Sequence, residues 1–480
     1  MFQWGLRTGA LKAVVVAALF GLLALPASAG ATRGITRAVT DNIWSAGESQ
    51  PYMSQYWVPK TTEAGIKVVL IEMDWASISP NPPAPGLATN PGNPGYQFAG
   101  YMDPVVQMLS NAGLQVALLI TDAPSWAEAP GGPARFEDDG AWKPNASALG
   151  QFAQAVAARY SGSYDGLPKV RYLQAWGEAN FDVHLAPQWV HSGGKWVPYA
   201  PGMYRTMLND FYNGVKAGDP SASVITTGFG PFGDSPGGCS SGEVGPGCRM
   251  PPAQFARNLL CLSNSLAPLS CPHPAHFNIM AADPYEVGGP TTHAVGADNI
   301  SAPDLGKLTK PLRKAVATGR ALPRASKALW VTEFSYDSKP GNPYGLSLAK
   351  QAKWLEESYY VFWEQDVSTA VWYLLRDESP TYNPDEYYSG IYRYNGKPKP
   401  SLAAMRFPFV VMQWGKKVNA WGIAPVGGTV TVQKKSGRSW RTLFRTHASA
   451  GGVFVRSVAK KLHGKFRAKV SGHTSLTWSR

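Results

Sequence analysis

Tyr172-Leu-Gln-Ala-Trp-Gly-Glu-Ala-Asn180 and Ala328-Leu-Trp-Val-Thr-Glu-Phe-Ser-Tyr336 are built alike. Each is a short apolar or β-branched run that reaches a glutamate, Glu178 in one and Glu333 in the other. Each is followed by loop residues and then by an amphipathic helical pattern. The same unit recurs on both sides of them. Apolar runs at Thr36–Ile43, Ile66–Met73, Leu114–Thr121, Val170–Trp176, Ser223–Thr227, His276–Ala281, Ala328–Thr332 and Thr369–Leu375 predict strands. Asp103–Ala112, Ala148–Tyr160, Tyr204–Ala217 and Leu348–Phe362 predict helices between them. Eight strands separated by helices predict a parallel sheet, and eight is the number that closes a (β/α)8 TIM barrel. A doubly wound open sheet is the alternative, but no Gly-rich dinucleotide loop follows the first strands.

Residues beyond the barrel have another texture. Leu402–Phe409 reads as a closing helix. After it come Thr429–Gln433, Arg441–Thr446, Gly452–Val455, Phe466–Val470 and Ser475–Trp478, short alternating runs broken by Gly and Ser. They predict a small all-β sandwich domain. At the other end, Arg7 and Lys12 precede an apolar stretch, Ala13 to Leu25, and Ala27-Ser28-Ala29 fits a small-residue cleavage site. The stretch falls short of the ~20 residues of a membrane span. The expected organisation is a signal peptide at 1–29, a barrel at 30–410 and a basic sandwich at 411–480. The mature chain is then secreted or cell-wall associated, with no transmembrane segment.

Ser79–Gly95, with Pro-Asn-Pro-Pro-Ala-Pro-Gly and Asn-Pro-Gly-Asn-Pro-Gly, is neither helix nor central strand, because proline lacks the N–H. It reads as a rigid loop over the barrel mouth. The four cysteines are Cys239, Cys248, Cys261 and Cys271, at spacings of nine, thirteen and ten. In an exported chain they are expected to be oxidised, and four allow three pairings. Proximity favours Cys239–Cys248 and Cys261–Cys271. The spacings lack the close pairs of a zinc site, and His184, His191 and His293 are scattered, so no metal and no cofactor is expected.

Two carboxylates brought together at strand ends are the minimum equipment for breaking a glycosidic bond. Trp75-Ala-Ser-Ile-Ser-Pro80, Ala123-Pro-Ser-Trp-Ala127, Trp176-Gly-Glu-Ala-Asn180, Asp283-Pro-Tyr285, Trp330-Val-Thr-Glu-Phe334 and Val371-Trp-Tyr373 carry a resemblance to clan A glycoside hydrolases. Families 39 and 5 are the nearest, and the resemblance covers roughly residues 36 to 410. It implies an acid/base after strand four and a nucleophile ending strand seven, the places of Glu178 and Glu333, and a retaining mechanism. It also implies that Trp372 forms the floor under the sugar and that Tyr285 bonds the nucleophile. Trp75, Trp126 and Tyr336 are candidate walls, since sugar rings present C–H faces to aromatic planes. Three positions depart from the family pattern. Gly177 stands where relatives have Asn, Leu70 where they often have Arg, and Asp283 where they have His. Asn180, Glu72 or Asp74 are the candidates to fill the gap left at Gly177. A catalytically silent sugar-binding barrel is the alternative reading.

Charge is concentrated at one end. Trp414–Arg480 holds 14 Lys or Arg and no Asp or Glu, against +13 for the whole chain. Residues 1–413 therefore sum to −1. Such a module attracts polyanions, and outside a cell an anionic cell-wall polymer is the expected partner. No nucleic-acid motif is present.

Overall fold

The computed structural model describes residues 33–44, 49–132, 140–236, 249–285 and 288–480. Residues 1–29, Cys239 and Cys248 lie outside the described residues. The eight barrel strands are β1 (Thr36–Thr40), β2 (Val68–Asp74), β3 (Gln115–Thr121), β4 (Tyr172–Ala175), β5 (Ser223–Phe229), β6 (Ile279–Ala282), β7 (Ala328–Phe334) and β8 (Val367–Tyr373). They pair in parallel in sequence order, and β1 closes the ring. Its partners are β8, from Thr36↔Thr369 to Thr40↔Tyr373, and β2, from Ala38↔Val68 to Thr40↔Leu70. Although β1 is poor in strong strand formers, two flanking ladders supply its backbone partners, so tertiary pairing overrides propensity.

Helices α1 (Met102–Asn111), α2 (Ala146–Arg159), α3 (Ala200–Gly218), α4 (Pro252–Leu259), α5 (Gly306–Ala317), α6 (Leu348–Glu364) and α7 (Pro400–Arg406) surround the ring. Asn145 and Ser347 start α2 and α6 by accepting the backbone N–H groups of Ala148 and Lys350. Small and branched side chains fill the barrel interior, among them Ala38, Val68, Leu70, Ala117, Ile225 and Val371. Tyr172 and Trp330 close it, with ring centroids 4.7 Å apart. This packed plug lies below the strand ends, so a ligand site has room only above it.

The proline-rich segment does not cover the mouth. Arg159, at the C-terminal end of α2, donates to the carbonyl of Pro91 at 2.5 Å. Tyr96 then packs edge-on against Phe98 and Phe152, which stack on each other. The segment is held along the flank of α2 by these contacts.

Past α7 the chain forms two antiparallel sheets. The first joins β9 (Phe409–Trp414), β10 (Lys417–Ile423) and β13 (Val453–Ser457). The second joins β11 (Gly428–Ser436), β12 (Ser439–Ala448) and β14 (Lys465–Val470) with the short strands His473–Thr474 and Trp478–Ser479. The predicted closing helix stops at Arg406, and Phe409 begins a strand. Phe409, Val410 and Val411 are all fully buried. A strand covered on both faces loses the alternation that marks a half-exposed one. The sandwich is seated on α6. Trp421 of β10 packs against Tyr360 and Trp363, and Asn419 donates to Glu364 Oε1 at 3.1 Å. No helix among the described residues is long and apolar enough to cross a membrane.

Candidate active site

At the C-terminal ends of the strands lies a cavity of about 410 Å³. Seven of the eight strand ends contribute to it. Glu72 comes from β2, Thr121 and Asp122 from the end of β3, and Gly177 and Glu178 from the turn after β4. Pro231 and Phe232 follow β5, Tyr285 follows β6, and Glu333 and Tyr373 sit on β7 and β8. Phe181, His184 and Tyr387 complete the wall.

Glu333 reaches the cavity through a break in strand register. Val331 pairs with Ala370 but Phe334 pairs with Trp372, so three residues of β7 span two of β8. The extra residue re-aims one side chain, which is what β-bulges do beside functional sites. Thr332 and Glu333 consequently both point inward. Thr332 donates to Asp283 Oδ1 at 2.7 Å, while Phe334 turns outward onto Tyr359 and Phe362.

Glu178 is presented by a tight turn in which Trp176 (φ 75°) and Glu178 itself (φ 23°) have left-handed backbone. Such conformations persist when surrounding contacts over-determine them. Here the Trp176 N–H donates to Ile120 O, the Trp176 indole to His184 O, and the Ala179 N–H to Thr227 Oγ1. Opposite the turn, Gly230 leaves the room Glu178 needs. A Cβ there would lie 2.8 Å from Glu178 Oε1.

The two glutamates share one electrostatic environment. Burial raises the Glu178 carboxyl well above the usual range, and the charge of Glu333 adds to this. Burial also raises Glu333, with further repulsion from Asp283 and Glu72. One contact acts the other way. Tyr285 donates its hydroxyl to Glu333 Oε2 at 3.0 Å, which favours the ionised form. The Tyr285 bond thus favours a charged Glu333, and a charged Glu333 favours the proton on Glu178. Acidic groups otherwise dominate the cavity, since Thr121 Oγ1 contacts both Glu72 Oε1 (3.0 Å) and Asp122 Oδ2 (2.7 Å). His184, 3.8 Å from Glu178 Oε2, is the basic side chain among the lining residues. No group of three or more His, Cys, Asp or Glu among the described residues is arranged to hold a metal.

Of the residues singled out from sequence, Glu178, Glu333, Tyr285 and Glu72 meet in this cavity. Trp372, Asn180, Trp75, Trp126, Tyr336 and Asp74 do not. Trp372 is fully buried on the outer side of β8, edge-on to Phe334, with its indole on Ser389 O. Tyr373, one residue on, lines the cavity instead, because successive strand residues face opposite sides. Asn180 is buried between two loops, where Nδ2 donates to the carbonyls of Gly230 and Met250 and Oδ1 accepts the Gly230 N–H. It braces the turn that carries Glu178. Trp75 and Trp126 pack edge to face with each other, Trp75 on Phe152 and Trp126 bonded to Ser79 O. Tyr336 lies in the outer layer against Trp354, its hydroxyl on Ser358. Asp74 caps the helical turn Trp75–Ile78 by accepting the Ser77 N–H.

Cys261 and Cys271 are joined by a disulfide. Missed in the sequence were Tyr373, Tyr387, Phe181 and Phe232. Strand alternation from the interior residue Val371 points to Tyr373. The other three sit on irregular loops that carry no periodic signal.

No protein-family model matches the chain, and none of the curated proteins is similar in sequence. Solved structures do match. A family 39 glycoside hydrolase from the gut symbiont Bacteroides cellulosilyticus WH2 aligns over 89% of this chain and 81% of its own, with a TM-score of 0.53 and 14% identity. A glucosidase from Croceicoccus marinus aligns over 90% of this chain and 94% of its own, with a TM-score of 0.51 and 12% identity. The chain has the fold of these two enzymes. The (β/α)8 barrel with a C-terminal β-sandwich expected from the sequence is thus the architecture found, and its carboxylate cavity lies at the catalytic end of the barrel type.

Proposed function

We propose that the chain is an exported glycosidase that cleaves O-glycosidic bonds of a poly- or oligosaccharide with retention of configuration. Glu178 is its acid/base and Glu333 its nucleophile. The observation that carries this reading is the shared cavity in which a half-buried Glu178 stands with a Glu333 held by Tyr285. In the first step the Glu333 carboxylate attacks the anomeric carbon and forms an ester. The bond from that carbon to the leaving oxygen breaks, and the oxygen takes its electron pair and the proton of Glu178. In the second step Glu178, now ionised, removes a proton from water. The water oxygen displaces Glu333 from the anomeric carbon and restores both groups. Tyr373, Tyr387, Phe181 and Phe232 supply aromatic faces for the sugar rings. No cofactor takes part in either step.

The likeness to two glycosidase structures supports the same reading at the level of fold. An apolar leader at residues 1–29 supports export, and the basic residues 414–480 support retention at an anionic cell-wall polymer.

The test is hydrolysis of a panel of aryl glycosides and polysaccharides by the wild type, Glu178→Gln and Glu333→Gln, with the product anomer followed by NMR. Turnover that collapses in both variants, with the starting anomer in the first product, is expected. Sugar binding by all three proteins without turnover would replace this reading by the silent barrel.

A further inference from the structure

A second cavity, also of about 410 Å³, lies at the opposite end of the barrel, where it meets the sandwich. Arg37 near the start of β1, Lys67 just before β2 and Arg406 at the end of α7 line it, together with Glu63, His473 and Thr474. Arg37 is only 4% exposed, and its hydrogen bonds go to the carbonyls of Met405 (2.7 Å) and Arg406 (2.8 Å). Among the described residues no carboxylate forms an ion pair with it. Arg406 is paired with Glu63, and Lys67 is exposed. Three cations against one carboxylate leave the cavity at +2 with His473 neutral. Desolvating a guanidinium that has no carboxylate partner is costly, and an anion seated beside it offsets that cost.

The cationic lining continues onto the sandwich. Thr474 pairs with Lys469 of β14. Along β14, Lys465, Arg467 and Lys469 alternate with buried Phe466, Ala468 and Val470, so the three cations share the outer face, about 6.8 Å apart. In the same row as Lys469, Arg445 of β12 lies across Thr431. Arg467 is pre-positioned, for its Nε donates to Gln433 Oε1 at 2.8 Å and its guanidinium lies 4.2 Å over the Trp440 ring. Residues 414–480 contain no carboxylate side chain to oppose this face.

We propose that this cavity and the adjoining face of β14 form a binding site for a linear polymer of phosphate-linked sugars or polyols. One phosphate sits among Arg37, Lys67 and Arg406, and the following ones pass Lys469, Arg467 and Lys465. Converging cations with a net charge of +2 suit a phosphate group, whose several oxygens accept charge-assisted bonds from guanidinium and ammonium together. Cations repeated along one strand suit a charge repeated along one chain. The site deepens the retention reading given above and rests on it for the kind of polymer. It lies at the N-terminal ends of the barrel strands, whereas Glu178 and Glu333 stand at the C-terminal ends, so a held polymer leaves the catalytic mouth open.

The experiment is titration of the full chain with a poly(glycerol phosphate) chain at low and high salt, with polygalacturonate and duplex DNA as comparators. Lys67→Ala and Lys469→Ala, both at surface positions, are tested singly and together, and hydrolysis of an aryl glycoside is followed on the same samples. Expected are salt-sensitive binding of the phosphate polymer, a loss of about tenfold or more for each cation removed, and unchanged hydrolysis. Equal affinity of the double variant, or equally tight binding of polygalacturonate or DNA, overturns the site. Absence of hydrolysis with polymer binding as expected would remove the glycosidase reading and leave the phosphate site standing.

Discussion

The Tyr285 hydroxyl donates to Glu333 Oε2 at 3.0 Å across a cavity whose other charged groups are mostly carboxylates. That single bond breaks the symmetry between two half-buried glutamates. It favours the ionised form of Glu333, the group proposed as nucleophile. The Tyr285→Phe variant removes the donor and keeps the ring. A hydrogen bond to a charged group is worth about 1.5–3 kcal/mol, so kcat/KM is expected to fall by about ten- to a hundredfold. The acid limb of the pH profile should move to higher pH, because Glu333 then takes up its proton more readily. A profile whose acid limb stays in place would deny Tyr285 this role.

The charge of Glu333 should be visible in the titration of Glu178. Both carboxyls are raised, and they titrate as a coupled pair. The proposed mechanism requires the singly protonated pair. It should fall as pH drops and Glu333 is protonated, and fall again as pH rises through the raised value of Glu178. In Glu333→Gln the repulsion is gone, so the carbon-13 signal of the Glu178 carboxyl should titrate at lower pH than in the wild type. An unchanged midpoint would mean that burial alone sets the Glu178 value.

Tyr373 and Trp372 separate site from core. Trp372→Phe keeps an aromatic ring in the outer layer but leaves a space and drops the bond to Ser389 O. It is expected to cost about 1–3 kcal/mol of stability, with little change in KM. Tyr373→Ala removes a cavity wall and should raise KM or lower kcat while the melting temperature moves less. The reverse pattern would return Trp372 to the substrate side.

Much of this arrangement was readable from the chain because the barrel repeats one local rule. Runs of Val, Leu and Ile at strand spacing, each followed by a helical stripe, define eight units, and the ends of strands four and seven carry Glu178 and Glu333. The misreadings have local causes. Trp372 was assigned to the wrong face by one residue, a parity that sequence alone leaves open and that Val371 in the barrel interior decides. Glu333 reaches the cavity only because of the bulge between Val331 and Phe334, which no residue pattern announces. Asn180 is polar and adjacent to the acid/base candidate, yet its amide is fully engaged by Gly230 and Met250, a partner set formed by segments fifty and seventy positions away.

Gly230 gives a steric test of the turn. Its absent Cβ would meet Glu178 Oε1 at 2.8 Å and two Phe181 ring atoms at 2.5 and 2.8 Å. In Gly230→Ala one of these groups must shift, and a displacement of the acid is expected to lower kcat by about a hundredfold with a smaller effect on folding. Gly177→Ala is the control, since its Cβ would meet nothing closer than Thr121 Cγ2 at 3.5 Å. Equal losses in the two variants would show that packing space at Gly230 is not what positions Glu178.

Glu356 provides a test at the seam between barrel and sandwich. It is fully desolvated on α6, where Oε1 accepts the Phe409 N–H at 3.3 Å, and burial raises its pKa well above the usual value. Between its unfolded and folded pKa the native state binds more protons than the unfolded chain, so this group makes stability fall as pH rises through that window. Below the unfolded value the penalty is absent. Glu356→Gln keeps an acceptor for Phe409 and removes the ionisation. At neutral and higher pH the variant should therefore be more stable than the wild type, and the two should converge as the pH is lowered below the ordinary carboxylate range. Melting curves across pH decide it: a variant less stable than the wild type at neutral pH would show that an ionised Glu356 holds the seam together.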